Sequence, residues 1–282
     1  MSYAICPLSS AAVRNSPSHK SEMISQMLFG ETVEILETKG RQWARVRFSD
    51  DNFIGWVALH QIEPITPTEW TAYQQQFAFV LDPWNTVRHD QFFLPLGLGA
   101  RLPLFDGIRF QLGEKSFTFS GQAVFPQDIQ SSGDMILKLA RRYMNVPFLW
   151  GGRSSMGVDS PGMIQVVYRM AGINLPRESF QQVLIGETVD FAEQAQPGDL
   201  AFFENRLERI THTGIVLPEG QVLHVYGKVR VDTLDHYGIY NHELEKYTHK
   251  LRIIRRVMPS VKSSQPKNAE QNTLIGKQIE LF

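Results

Sequence analysis

From Ala4 to about Pro64, short apolar runs alternate with polar turns along the chain. Ala11-Ala12-Val13-Arg14, Gln26 to Glu31 and Thr32 to Leu36 read as strands. Trp43-Ala44-Arg45-Val46-Arg47 alternates apolar and charged residues with period two, the mark of a half-buried strand. The polar turn Ser49-Asp50-Asp51-Asn52 separates it from a further strand, Phe53-Ile54-Gly55-Trp56-Val57. Roughly five short strands in about sixty residues predict a small barrel. Thr66 to Ala78, with Trp70 and Tyr73 at i, i+3, predicts a short connecting helix. Between about Phe77 and Phe125, strands are expected at Phe92 to Leu96, Arg109 to Leu112 and Phe117 to Phe119. Gly97, Gly99, Gly107 and Gly113 punctuate them, which reads as a second, more divergent barrel.

The period changes to 3.6 from Ser131 onward. Asp134 is the expected cap of a helix carrying Ile136, Leu137, Leu139, Ala140 and Tyr143, which ends before Pro147. A second helix is predicted from about Pro161 to Met170, with Gly172 stopping it. Strand-like runs follow at Asp199 to Phe203, His212 to Leu217, Val222 to Tyr226 and Leu251 to Val257. Helices first and antiparallel-looking strands afterwards is an α+β order. The expected organisation is therefore a barrel at 1–64, a second at 65–128, an α+β domain at 129–258 and a disordered tail at 259–282. The tail's last residues, Gln278-Ile279-Glu280-Leu281-Phe282, resemble a short clamp-binding peptide of replication proteins. A frayed or loosely docked terminus is the expectation there.

Composition narrows the function. The 282 residues carry 28 Lys+Arg against 29 Asp+Glu, leaving no basic surplus for nucleic acid. A single cysteine, Cys6, excludes an internal disulfide and a thiolate zinc site. It is read as a buried thiol of the first barrel rather than a lipid-modified residue. No secretory leader or membrane-spanning run is evident, so a cytoplasmic chain is expected. His236, His242 and His249, with Asp232, Asp235 and Glu243, lack the i, i+4 spacing of a helical metal pair. They read as a solvated loop, with no metal or other cofactor implied.

Three runs carry the candidate chemistry: Pro147-Phe148-Leu149-Trp150-Gly151-Gly152-Arg153, Gly157-Val158-Asp159-Ser160-Pro161-Gly162-Met163 and Leu175-Pro176-Arg177-Glu178-Ser179. Pro197-Gly198-Asp199-Leu200 and Thr211-His212-Thr213-Gly214-Ile215 follow them. Amide cleavage by a nucleophile needs a helix N-terminus that favours negative charge, an imidazole to move a proton, and a group to orient that ring. Ser160 stands where the second helix begins, with Pro161 suited to the first turn, and His212 and His224 fall on consecutive strand-like runs.

Together these runs resemble the NlpC family of papain-like murein peptidases. The run Leu28-Phe29-Gly30-Glu31, Trp43 and Gly55-Trp56-Val57 resembles the bacterial SH3-like domains often attached to such enzymes. The resemblance implies a papain-like catalytic domain behind two SH3-like barrels and hydrolysis of a γ-D-glutamyl to diamino-acid bond. It makes position 160 the nucleophile, His212 the general base and His224 the orienting residue. It also implies recognition of a free amino end, as in L-Ala-γ-D-Glu-diaminopimelate, by Asp159, Glu178 and Ser179. Phe148 and Trp150 would stand beside them, and Phe53 of the first barrel would close the pocket.

Three residues depart from that pattern. Ser160 replaces the family's cysteine, Pro161 replaces the serine that usually follows it, and Phe148 replaces a tyrosine whose hydroxyl lies near the oxyanion. Loss of one oxyanion donor costs about 2.7–4 kcal/mol of transition-state stabilisation. A murein-peptide-binding chain with impaired catalysis is the resulting expectation. The alternatives are a slow serine-type peptidase on Ser160 and His212, and a binding or scaffold protein. On the residues alone, Ser160 could equally be a plain N-cap, and the two histidines ordinary strand residues.

Overall fold

The computed structural model describes residues 2–90 and 92–258. The expectations for the tail at 259–282, both disorder and a clamp-binding peptide, lie outside the described residues. Four helices are described: α1 (Pro67–Gln75), α2 (Gly133–Arg141), α3 (Ser160–Met170) and α4 (Ser179–Gln182). Among the described residues, no helix is long and apolar enough to cross a membrane.

The amino-terminal strands form one antiparallel seven-stranded sheet. Its order is Met23–Leu28, Ser10–Arg14, Ile54–Ala58, Trp43–Phe48, Thr32–Lys39, Ser2–Ile5, Glu63–Ile65. Its inward residues, among them Ala4, Val13, Met27, Val33, Val46 and Val57, make one buried cluster, and Phe53 packs against it. Cys6 belongs to this cluster as expected, and burial pushes its thiol up to about 12. The connecting helix is α1. Thr66 and Glu69 satisfy each other's backbone N–H groups at its start, a capping box that its sequence spells out.

The second β-rich stretch folds as two small sheets. One runs Phe92–Gly97, Trp84–His89, Lys115–Thr118, Arg109–Leu112, and the other Arg101–Pro103, Phe77–Val80, Ala123–Val124. They enclose Val87, Leu96, Phe110 and Phe117, together with Ile5 and Phe29 of the amino-terminal sheet. The two β units thus share a core, which periodicity along the chain does not reveal.

In the remaining α+β unit, α2 and α3 pack on a seven-stranded sheet. Its order is Glu187–Val189, Lys246–Arg256, Leu200–Glu204, Ile210–Leu217, Gln221–Tyr226, Lys228–Leu234, Gly238–Asn241. Ser132, not Asp134, caps α2 by accepting the Met135 N–H. The helix therefore starts one residue beyond Ser132, at Gly133, where a side chain would collide with the Pro197 carbonyl oxygen 2.4 Å away.

Buried charges weld the amino-terminal sheet to this unit. The Glu31 carboxylate takes both terminal nitrogens of Arg153 at 2.9 Å, the Leu28 N–H at 2.8 Å and the Arg169 guanidinium. Asp50 pairs with Arg101 at 2.7 Å and with Arg169 at 3.1 Å. Burial alone would raise the Glu31 carboxyl, but Arg153 and Arg169 more than offset this and hold it at about 2, below its usual 4.5.

Candidate active site

The turn ahead of α3 shapes the site. Gly151 has φ +74, and a side chain on it would meet the Met23 carbonyl oxygen at 2.4 Å, so the turn presses directly on the amino-terminal sheet. Asp159 is the N-cap of α3: its Oδ1 accepts the Gly162 N–H at 2.8 Å. This corrects the plain-cap alternative for Ser160. Because Asp159 caps, Ser160 occupies the first helical position and its hydroxyl is free for another partner.

That partner is His212, whose Nδ1 lies 2.8 Å from Ser160 Oγ. On the neighbouring strand His224 stands opposite Gly214, two residues from His212, so alternation puts both rings on one sheet face. His212 Nε2 is 3.0 Å from His224 Nδ1, and His224 Nε2 is 2.9 Å from Asp232 Oδ2. Arg230 holds Asp232 at both oxygens, at 2.8 and 2.9 Å. The partners fix the protons. Asp232 accepts only, so His224 donates from Nε2, His212 donates from Nε2 to His224 Nδ1, and His212 Nδ1 is left to accept the Ser160 hydroxyl proton.

Burial keeps this relay uncharged. The His212 imidazolium is strongly disfavoured, first by burial and then by the neighbouring rings of His249 and His224. Burial also lowers His224, against the opposing pull of Asp232. The arrangement suits a general base that waits neutral beside a hydroxyl or thiol at a helix N-terminus. The donors for an oxyanion are reduced. Pro161 has no N–H, the Gly162 N–H is held by Asp159, and Phe148 offers a ring without a hydroxyl.

Ser160 and His212 line a cleft together with Glu22, Ile24, Phe148, Trp150, Asp159, Glu178 and Ser179. Seven of the expected binding or catalytic side chains therefore line the cleft, and His224 stands behind it. Phe53 does not reach it. It packs edge-on to Phe48, ring centroids 6.1 Å apart, against the core of the amino-terminal sheet. That sheet instead contributes Glu22 and Ile24, and Glu22 Oε1 accepts the Trp150 indole N–H at 2.8 Å. Asp159 Oδ2 accepts from Gly151 N and from Arg177, at 2.9 and 2.6 Å. Burial raises the Glu178 carboxyl, Arg177 opposes this, and the nearby charges of Asp159 and Glu22 add to the rise. Three carboxylates around one guanidinium leave the mouth electronegative.

Sequence reading missed Glu22, Asp232 and His249. The structure corrects the solvated-loop expectation for Asp232 and His249: Asp232 is buried on the strand Lys228–Leu234, and His249 is half-buried on Lys246–Arg256. His236 and His242 are exposed and stand apart from them. Alternation in Val229-Arg230-Val231-Asp232 was the available signal for that strand.

The orienting role of Asp232 is testable by Asp232→Asn. The amide would donate to His224 Nε2 and reverse the relay, leaving His212 protonated at Nδ1 and unable to accept. Nitrogen-15 NMR of the imidazoles should show that exchange of tautomers. In a Ser160→Cys background, turnover should fall by roughly two to four orders of magnitude. Unchanged tautomers would remove Asp232 from the relay.

Comparison with known proteins places this geometry. Residues 145–249 match the NlpC/P60 family, and residues 13–62 match the bacterial dipeptidyl-peptidase Sh3 domain. A gamma-D-glutamyl-L-lysine dipeptidyl-peptidase from Bacillus cereus is 25% identical, over 73% of this chain and 68% of its own. The protein of that name from Bacillus subtilis is 26% identical, over 71% of each. The crystal structure of an NlpC/P60 family protein from Bacillus cereus superposes with a TM-score of 0.78 at 20% identity, over 91% of this chain and all of that one, which shows a shared fold. The chain thus carries an NlpC/P60-family domain preceded by a bacterial Sh3 domain.

Proposed function

We propose that the cleft binds murein-derived peptides with a free amino-terminal L-Ala-γ-D-Glu-diamino acid, and that Ser160 leaves the chain with little hydrolytic turnover. The convergence of Glu22, Asp159 and Glu178 on the cleft that Ser160 and His212 also line carries the reading. An ammonium group entering there meets carboxylate acceptors on both sides, and the following γ-linked residue lies toward the nucleophile position. Ser160, Pro161 and Phe148 remove the thiolate and two sources of transition-state hydrogen bonding. Relatives named as gamma-D-glutamyl-L-lysine dipeptidyl-peptidases support the substrate class. The two small sheets at 65–128 are read as a second, divergent SH3-like barrel, and a cytoplasmic setting suits peptides already released from the wall.

The test is calorimetric titration of L-Ala-γ-D-Glu-diaminopimelate and of its N-acetylated form into the unmodified chain. Binding of the free peptide without products is expected. Acetylation should weaken it about 10–100-fold, the worth of a charge-assisted hydrogen bond to a buried carboxylate. Equal affinity for both forms would overturn the reading.

One observation favours a second reading. With Ser160 Oγ 2.8 Å from a neutral, correctly protonated His212, a slow serine-type peptidase is chemically possible. Labelling of Ser160 by a fluorophosphonate would support it, and a folded chain that stays unlabelled would count against it.

A further inference from the structure

The strand Lys246–Arg256 lays His249 against the relay. Its ring stacks on His212 with centroids 4.0 Å apart and planes 24° apart, and stands edge-on to His224 at 5.6 Å. One ligating nitrogen from each of His212, His224 and His249 lies within 4.8 Å of those of the other two. Each ring is also held from outside by an oxygen. Ser160 Oγ contacts His212 Nδ1 at 2.8 Å, Asp232 Oδ2 contacts His224 Nε2 at 2.9 Å, and Thr248 Oγ1 contacts His249 Nδ1 at 2.9 Å. The other nitrogens, His212 Nε2, His224 Nδ1 and His249 Nε2, are the ones left to a shared centre, and the first two are 3.0 Å apart. Outer oxygens that fix the tautomer and plane of inward-facing imidazoles are the usual surroundings of a metal-binding histidine cluster.

We propose that His212, His224 and His249 form a three-imidazole site for a divalent cation of the zinc class. With metal–nitrogen bonds of about 2.0–2.1 Å, two ligand nitrogens on a tetrahedral ion lie about 3.3 Å apart and their ring centroids about 5 Å apart. The His212–His224 centroid distance of 5.2 Å and the His224–His249 distance of 5.6 Å meet that spacing. The His212–His249 stack at 4.0 Å does not, and has to open by about 1 Å for the ion to enter. A way in exists: His249 also lines an open cavity of about 750 Å³ bounded by Glu204, Tyr237, Tyr247 and Lys250. Three neutral nitrogen ligands and one open position are a donor set that such cations accept.

The ion and the general base compete for one lone pair. A cation on His212 Nε2 takes the place of the proton donated there to His224. That proton is carried at His212 Nδ1 instead, where it faces Ser160 Oγ as a donor. No net proton is lost, His224 keeps its Nε2–H on Asp232, and His212 can no longer accept from position 160. Cation binding would therefore silence whatever nucleophile stands there.

The site does not depend on the murein-peptide reading, because it is read out by the metal alone. Zinc chloride titrated calorimetrically into the full chain should bind one ion per chain, and cobalt(II) should give the absorption bands of a low-coordinate site. His249→Phe keeps the ring stack and removes the ligand. Its affinity should fall by more than the 10–100-fold typical of losing an outer partner of a ligand. His242→Ala should bind as the unmodified chain does. Nitrogen-15 NMR should show the His212 proton moving from Nε2 to Nδ1 with zinc. Zinc affinity unchanged in a folded His249→Phe chain, or no stoichiometric binding to the unmodified chain, would overturn the site.

Discussion

Ser160→Cys should raise hydrolysis of L-Ala-γ-D-Glu-diaminopimelate by at least about a hundredfold over the unmodified chain, followed as product by mass spectrometry. The new sulfur would sit at the first position of α3, where the helix dipole favours a thiolate, in place of an oxygen 2.8 Å from the accepting nitrogen of His212. A thiol ionises near pH 8.5 unperturbed and lower at such a position, whereas a serine hydroxyl must surrender its proton within the transition state. Full family-level activity is not expected, because Phe148 and Pro161 still withhold donors. Adding Phe148→Tyr should return a further 10²–10³-fold if its hydroxyl reaches the oxyanion. Peptide binding without cleavage in both variants would assign the loss to Pro161 and the reduced first turn. Neither binding nor cleavage would remove the murein-peptide reading altogether.

Glu31→Gln should destabilise the chain by about 3–5 kcal/mol, measured by urea unfolding, because it leaves the buried Arg153 guanidinium without a carboxylate and Arg169 with Asp50 alone. Arg153, Arg169 and Glu31 are each less than a twentieth exposed, and Arg153 directly follows the turn that carries Trp150 and Gly151. The loss should therefore reach the cleft, weakening peptide binding as the Glu22 side drifts from the Glu178 side. The pH dependence has a definite sign. Glu31 titrates at about 2 in the folded chain against 4.5 as its ordinary value, so its contribution is fully present above pH 4.5 and disappears as pH falls toward 2. Over that window the unmodified chain should lose about 3 kcal/mol that Glu31→Gln does not lose. Parallel pH profiles for the two chains would show that Glu31 does not hold the Sh3 unit to the NlpC/P60-family unit.

Much of this was legible in the chain. Period-two alternation at Trp43 to Arg47 and the 3.6 period at Ile136 to Tyr143 report which side of each element is buried, and burial is a local consequence of side-chain polarity. Helix starts were less sharp. Ser132 and Asp134 are both competent caps, and the choice fell to Ser132 because Gly133 fits under the Pro197 carbonyl, a contact made from 64 residues away. Phe53 and Glu22 show the same limit. Both belong to the Sh3 unit, and only the docking of that unit on the turn at Gly151 decides which of them meets the cleft.

By itself the sequence determined which residue types stand where: a serine at a helix start and two histidines on successive strands. Those features depend on residue type and on spacing within one or two elements. The tertiary structure decided the rest. Asp232 reaches His224 only because Lys228–Leu234 pairs with Gln221–Tyr226, and His249 meets His212 only through the sheet that joins Lys246–Arg256 to Leu200–Glu204. Glu31 becomes a buried ion rather than a surface acid only because Arg153 and Arg169, more than a hundred residues away, are brought to it. Such contacts are set by which faces find each other on folding, and no local pattern in a single chain encodes the partner.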